Sequence, residues 1–128
     1  LPCFRATIGA GNTINDRAFA FNGIHVVGAR FQASQNTGRI NGVATIPETV
    51  AGAAMNTLNT RAFRIGAGQG TTAGTSVWQG QIRNVVVTGP MTDDEITRLE
   101  AFLAWDCGRS DLLPDDHPWK FTPPWVLN

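Results

Sequence analysis

Chemistry in this chain would have to come from few residues. Acidic side chains cluster twice, as Asp93-Asp94-Glu95 and as Asp111, Asp115 and Asp116, while Glu48 stands alone beside Pro47. Hydrolysis of a glycosidic bond needs two carboxyl groups at a set separation. No predicted strand carries such a pair, and Asp93-Asp94-Glu95 lies where a helix begins. His25 and His117 are the only histidines. One sits in mid-strand and the other between Asp116 and Pro118, settings that suit a hydrogen-bonded structural ring better than a general base. Ser34, Ser76 and Ser110 lack the strand–turn–helix setting of a nucleophile elbow. The glycines of GAGQGTTAG (66–74) are followed by neither Lys-Ser/Thr nor a helix, so they form no phosphate loop. Catalysis is not expected.

Binding is the remaining class, and bulk properties narrow it. The 128 residues suit one domain, 1–128, able to bury roughly two thirds of its unfolded surface. Hydrophobic residues make up 42% and charged residues 16%, a balance that favours a packed core over disorder. Ten basic and ten acidic side chains cancel, so the electrostatic footprint of a nucleic-acid binder is missing. No run of about eighteen apolar residues is present, and membrane insertion is not expected. The chain starts on Leu1, which suits a processed product or a piece of a longer one. Cys3 and Cys107 stand near opposite ends. If the termini meet, a disulfide would contribute about 4 kcal/mol; two separate buried thiols are the equal alternative.

The elements that must position these residues read as β up to about Gly89. CFRATIG (3–9) is a first strand and GAGNTIND (9–16) a turn-rich break. IHVVGARF (24–31) is a strong strand, with Ile24, Val26, Gly28 and Arg30 on one face and His25, Val27, Ala29 and Phe31 on the other. In RINGVATI (39–46), Asn41-Gly42 between apolar flanks predicts a two-residue type I′ hairpin, since both central positions need φ > 0. RAFRIGA (61–67) is a further strand. VWQGQIRNVVVTG (77–89) is the longest, its apolar end suited to burial on both faces.

At Met91 the pattern changes. TDDEITRLEAFLAW (92–105) is a helix, with a Thr92/Glu95 capping box and three acids complementing the helix dipole. Ile96, Leu99, Phe102 and Leu103 form its apolar stripe, and Gly108 its stop. LPDDHPWKFTPPWVLN (113–128) then carries four prolines, which exclude a helix, and Trp119, Phe121 and Trp125, which a disordered tail would lack. It reads as an extended strap over 113–125, its aromatics docked and Asp115, Asp116 and Lys120 in water.

Several of these motifs resemble the LamG-like branch of the concanavalin A-like lectin/glucanase superfamily, in the form found in phage structural proteins and bacterial surface proteins. The positions that match are Met91-Thr92-Asp93, Glu95, Leu99-Glu100, Phe102-Leu103-Ala104, Gly108, Leu113-Pro114, His117-Pro118-Trp119 and Pro123-Pro124. GIHVVGARF, RINGVATI and FRIGA match upstream, so the likeness runs over roughly residues 22–124 in order. Ile24 stands where the family commonly has Trp, as does Cys107.

The resemblance implies an all-β, concanavalin A-like jelly-roll sandwich with one C-terminal helix and a proline-aromatic strap. With fewer strands before GIHVV than full modules have, it would be a reduced sandwich or one completed by another chain. The glucanases of the superfamily place paired acids on one strand, a pattern not found here. Calcium at the sandwich rim would fall to Asp111, Asp115 and Asp116, or to Asp16 with Asn12 and Asn15. A glycan site would use Trp78, Gln79 and Gln81 from a strand, or Asn36, Asn41 and Asn59 from loops. The implied role is a non-catalytic virion component (capsid decoration, fibre or tail) that assembles with other structural subunits or with itself and touches surface glycans. The alternative is a lectin domain of a bacterial surface or secreted protein. Nine arginines against one lysine fit protein–protein contact.

Overall fold

A strand is defined by its partner, and the first two strands find each other. The computed structural model describes residues 4–8, 12–16, 23–32, 35–44, 48–49 and 80–126; for 4–8, 12–16 and 48–49 the backbone alone is described. β1 (Phe4–Ile8) pairs antiparallel with β2 (Asn12–Asp16), from Phe4 opposite Asp16 to Ile8 opposite Asn12. The Asn- and Asp-rich stretch 12–16, expected as a turn, is thus a strand. Pairing overrides the weak strand propensity of Asn and Asp.

β3 (Val27–Phe31) pairs antiparallel with β4 (Gln35–Ile40), and β4 turns into β5 (Val43–Ala44) at Asn41-Gly42. Asn41 has φ 51° and Gly42 φ 83°, as a type I′ turn requires. β6 (Glu48–Thr49) pairs farther back along β4. Between the pairs Arg39–Ala44 and Asn36–Glu48, β4 advances three positions and the returning chain four, so the register steps by one. β1 lies near β3 and β2 near β4. These strands make a hairpin and a small antiparallel sheet, which alone do not define a jelly roll. AFAF (18–21), 51–60, RAFRIGA (61–67) and 68–76 lie outside the described residues.

The alternation of β3 follows expectation. Val26, Gly28 and Arg30 face α1 (Asp93–Asp106): Val26 joins the core, Gly28 lies under Glu100, and Arg30 reaches Asp93 and the Met91 carbonyl. Thr92 caps α1 as predicted. Its hydroxyl accepts from the Glu95 amide (3.3 Å), and the Glu95 carboxylate accepts from the Thr92 amide (2.7 Å). At the other end Gly108, φ 67°, donates to Trp105 O and Arg109 donates to Ala104 O, a Schellman motif that stops the helix where expected.

Two expectations fail here. The buried face of α1 is Glu100, Ala101 and Ala104, not the Ile96-Leu99-Phe102-Leu103 stripe. The two faces lie about a third of the way round the helix from each other. Small side chains let strand and strap approach closely, and Val26, Ala101, Ala104 and Leu113 form the core with Leu103, Trp105 and Trp119 against it. Secondly, within 77–89, residues 80–89 form no strand and are exposed throughout. An apolar β-branched run cannot reveal whether a partner strand is present.

The strap does fold back, but as turns rather than as an extended chain. His117 N–H donates to Pro114 O, Lys120 N–H to His117 O and Val126 N–H to Pro123 O. Pro118 and Pro124 occupy the second position of two of these turns. Proline's φ near −65° serves a β-turn as well as a polyproline helix, so composition could not separate them. The strap docks through Trp105 Nε1–H to Trp119 O (2.8 Å) and the Arg98 guanidinium to Pro124 O (2.8 and 3.1 Å). Trp119 is half-buried beneath Arg98, and Trp125 meets Phe102 and Trp105 edge-on. Phe121, expected to dock, is 77% exposed. Lys120, expected in water, instead donates to Leu113 O and Asp115.

Candidate functional site

Where the hairpin turn, the helix and the strap meet, they enclose a polar cleft of about 240 Å³, lined by Arg39, Gly42, Asp94, Thr97, Pro114, Asp116, His117 and Pro118. Its floor is an ion pair. Arg39 Nε and Nη2 donate to the two Glu100 oxygens at 2.6 and 3.0 Å, and Nη2 also donates to Gly42 O at 3.0 Å. Glu100 is only 6% exposed. The carboxylate it faces raises the Arg39 pKa still further. Ion pairing this deep is unforgiving of losing one partner.

His117 forms the wall. Trp119 N–H donates to its Nδ1 (3.2 Å), so the neutral ring carries its proton on Nε2. That N–H is buried without an acceptor among the described residues. Burial lowers the His117 pKa, with Arg39 adding to the effect and Glu100 and Asp116 opposing it. Burial also lowers His25, helped by Arg109 and opposed by the bond to Asn41. For both rings the unfolded chain takes up a proton first. Stability from each is therefore complete above about pH 6.5 and is lost as pH falls toward the depressed folded pKa. Urea unfolding is expected to show a midpoint that drops from pH 7.5 to pH 5, with a shallower drop in His117→Phe. An unchanged slope in that variant would contradict the assignment.

Of the residues named for glycan binding from sequence, Asn36, Asn41 and Gln81 are among the described residues. Asn36, assigned to a loop, is the second residue of β4 and is buried, its Nδ2 without a partner among the described residues. Asn41 is committed to structure: Oδ1 accepts from Val26 N–H (3.0 Å) and Nδ2 lies 3.1 Å from His25 Nδ1. Asn41 is partly exposed, and Asn36 is buried at its strand position. Gln81 is exposed; Trp78, Gln79 and Asn59 lie outside the described residues.

The acidic trio is likewise dispersed. Asp111 pairs with Arg109 (2.8 and 2.9 Å) and Asp115 with Lys120 (2.7 Å), and these cations lower both carboxyl pKa values. Asp116 lies at the cleft instead. Among the described residues no three His, Cys, Asp or Glu side chains converge as a metal site would need. Asn12, Asn15 and Asp16 lie on β2, whose side chains are not described. Cys107 is half-buried at the helix C-cap; Cys3 lies outside the described residues, so their pairing stays a proposal.

Sequence reasoning missed the Arg39–Glu100 pair altogether. Its members are 61 positions apart, and a glutamate between Leu99 and Ala101 carries no sign of burial. It also missed a second concavity of about 340 Å³, where Met91, Leu99, Phe102, Pro124 and Trp125 form an apolar groove edged by Glu95 and Arg98. The signal was present in the helix stripe: Leu99 and Phe102 line this groove, while Leu103 packs against the core.

No helix among the described residues is long and apolar enough to cross a membrane. Compared with known proteins, the chain matches no family model, no curated protein and no solved structure.

Proposed function

We propose that this chain is a non-catalytic assembly and adhesion module, working as a virion component such as a capsid decoration, fibre or tail part. On this reading it belongs to the reduced concanavalin A-like sandwiches suggested by its motifs, and it sits in the virion or at a cell surface. The observation that carries the reading is the apolar stripe of α1. Phe102 and Trp125 stay about half exposed along the groove, and Ile82, Val85, Val86 and Val87 lie open nearby in sequence. Large contiguous apolar surface on a soluble domain marks contact with protein, and aromatic side chains dominate such contacts. Sedimentation velocity over a wide concentration range, run beside a glycan array, tests the reading. Reversible association without saturable glycan binding is the expected result.

A carbohydrate-binding domain of a bacterial surface or secreted protein is the second reading. It is favoured by the polar cleft, where the unpaired His117 Nε2–H stands with Asp94, Asp116 and Thr97. A sugar hydroxyl could accept from the ring and donate to a carboxylate. A strictly monomeric protein whose glycan binding is lost in Asp116→Ala would replace the first reading with this one.

A further inference from the structure

The segment 81–89 has the composition of a strand but forms no ladder. Every residue from 80 to 90 is exposed, Val87 at 73%. Among the described residues, no backbone group of 81–89 bonds to another backbone group; only Gly89 O is engaged, by the Thr88 hydroxyl. The segment is nevertheless held at both ends. Asn84 Nδ2 donates to Asp106 (2.9 Å) and Arg83 pairs with the same carboxylate (3.5 Å) at the end of α1, while Met91 and Thr92 fix the start of that helix. From Asn84 to Thr92 the chain takes eight steps alongside roughly 20 Å of helix axis. That is about 2.5 Å per residue, nearer the rise of a strand than the 1.5 Å of a helix. An extended backbone pinned at both ends has already lost part of the freedom that pairing would cost.

We propose that residues 83–89 pair antiparallel with the same segment of a second copy of this chain, about a two-fold axis at Val86. The inference rests on the assembly reading and names its partner. Antiparallel pairing about Val86 sets Val85 opposite Val87, Asn84 opposite Thr88 and Arg83 opposite Gly89. Apolar residues meet apolar, polar meet polar, and like charges do not face each other. Arg83, the one charge in the segment, is already compensated by Asp106. Pro90, lacking an N–H, closes the ladder. Such self-complementarity is what a two-fold interface demands of one patch.

Ile82, Val85, Val86, Val87, Phe102 and Trp125 are each between 47% and 73% exposed, large apolar side chains of the kind that a stable interface of about 800 Å² per partner covers. The groove starting at Met91 extends the segment toward Phe102 and Trp125. An unpaired edge is a template for strand addition.

Sedimentation velocity of the full chain, wild type and Val86→Lys, tests this. The substitution sets two ammonium groups together at the axis while altering a residue that is 49% exposed in the monomer, so the urea midpoint should change little. Wild type is expected to dimerise reversibly, and Val86→Lys to dissociate at least tenfold more readily. In a second variant, Val86→Cys, the thiols oppose each other across the axis. Air oxidation should give a linked dimer well above the wild-type background, and Val43→Cys, equally exposed elsewhere, should not. Dimerisation unchanged by Val86→Lys but lost in Phe102→Asp would overturn strand pairing and leave the assembly reading standing. Wild type monomeric at every concentration would overturn the pairing outright.

Discussion

Gly42→Ala is expected to lower the unfolding free energy by about 3 kcal/mol, through two separable causes. Gly42 holds φ 83°, a left-handed conformation that an alanine resists. Its missing side chain is also occupied space: a Cβ there would lie 3.0 Å from His117 Cδ2, 3.3 Å from Leu113 Cδ2 and 3.3 Å from Pro114 Cδ. The strap rests on the hairpin turn at the one residue without a side chain. Gly108 supplies the control, since its φ is 67° and nothing lies within 4 Å of its Cβ position. Gly108→Ala should therefore cost only the backbone share, about 1 kcal/mol. The excess in Gly42→Ala measures how firmly the strap packs there. Equal urea midpoints for the two variants would mean that the strap yields freely, and that it is not clamped to the turn.

Glu100→Ala is expected to cost about 3 kcal/mol, because it strands the Arg39 guanidinium between sheet and helix. Arg39 would keep its bond to Gly42 O and lose both contacts to the carboxylate. Glu100→Gln should cost less, since the amide oxygen can still accept from Arg39. The pair Arg39→Met with Glu100→Leu should recover most of the loss, since apolar residues of similar volume often replace a buried ion pair without penalty. A double-mutant cycle from chemical denaturation gives the coupling. If the two single losses simply add, the side chains act independently and the ion pair does not join helix to sheet.

Both variants probe one junction, and the sequence disclosed its parts unequally. Asn41-Gly42 announced the turn because only such residues accept φ > 0 at both central positions. Thr92 with Glu95 announced the helix start, and Gly108 its end, since unpaired amides and carbonyls at helix termini admit few solutions. The faces of β3 followed from a period of two. Such features are local: the residues that cause them lie within a few positions of one another.

What covers each element was not local, and there the sequence misled. The stripe of α1 marked an apolar face, yet the residues buried deepest are Ala101, Ala104 and Glu100, while Phe102 is half exposed. The valine run was assigned to a buried strand, yet it lies exposed. The glycan and metal candidates were chosen for their side-chain chemistry. Asn36 proved buried, Asn41 bonded to Val26 and His25, and Asp111 and Asp115 paired with neighbouring cations.

The sequence by itself determined where the hairpin turns, where the helix starts and stops, and that the chain folds back at its end. Turn and cap chemistry depend on steric and hydrogen-bonding limits that act between near neighbours. Only the tertiary structure decided which helix face is buried, that Glu100 meets Arg39, and that prolines at turn positions bend the strap onto Gly42. Those outcomes depend on distances between residues tens of positions apart, which periodicity within a segment does not encode.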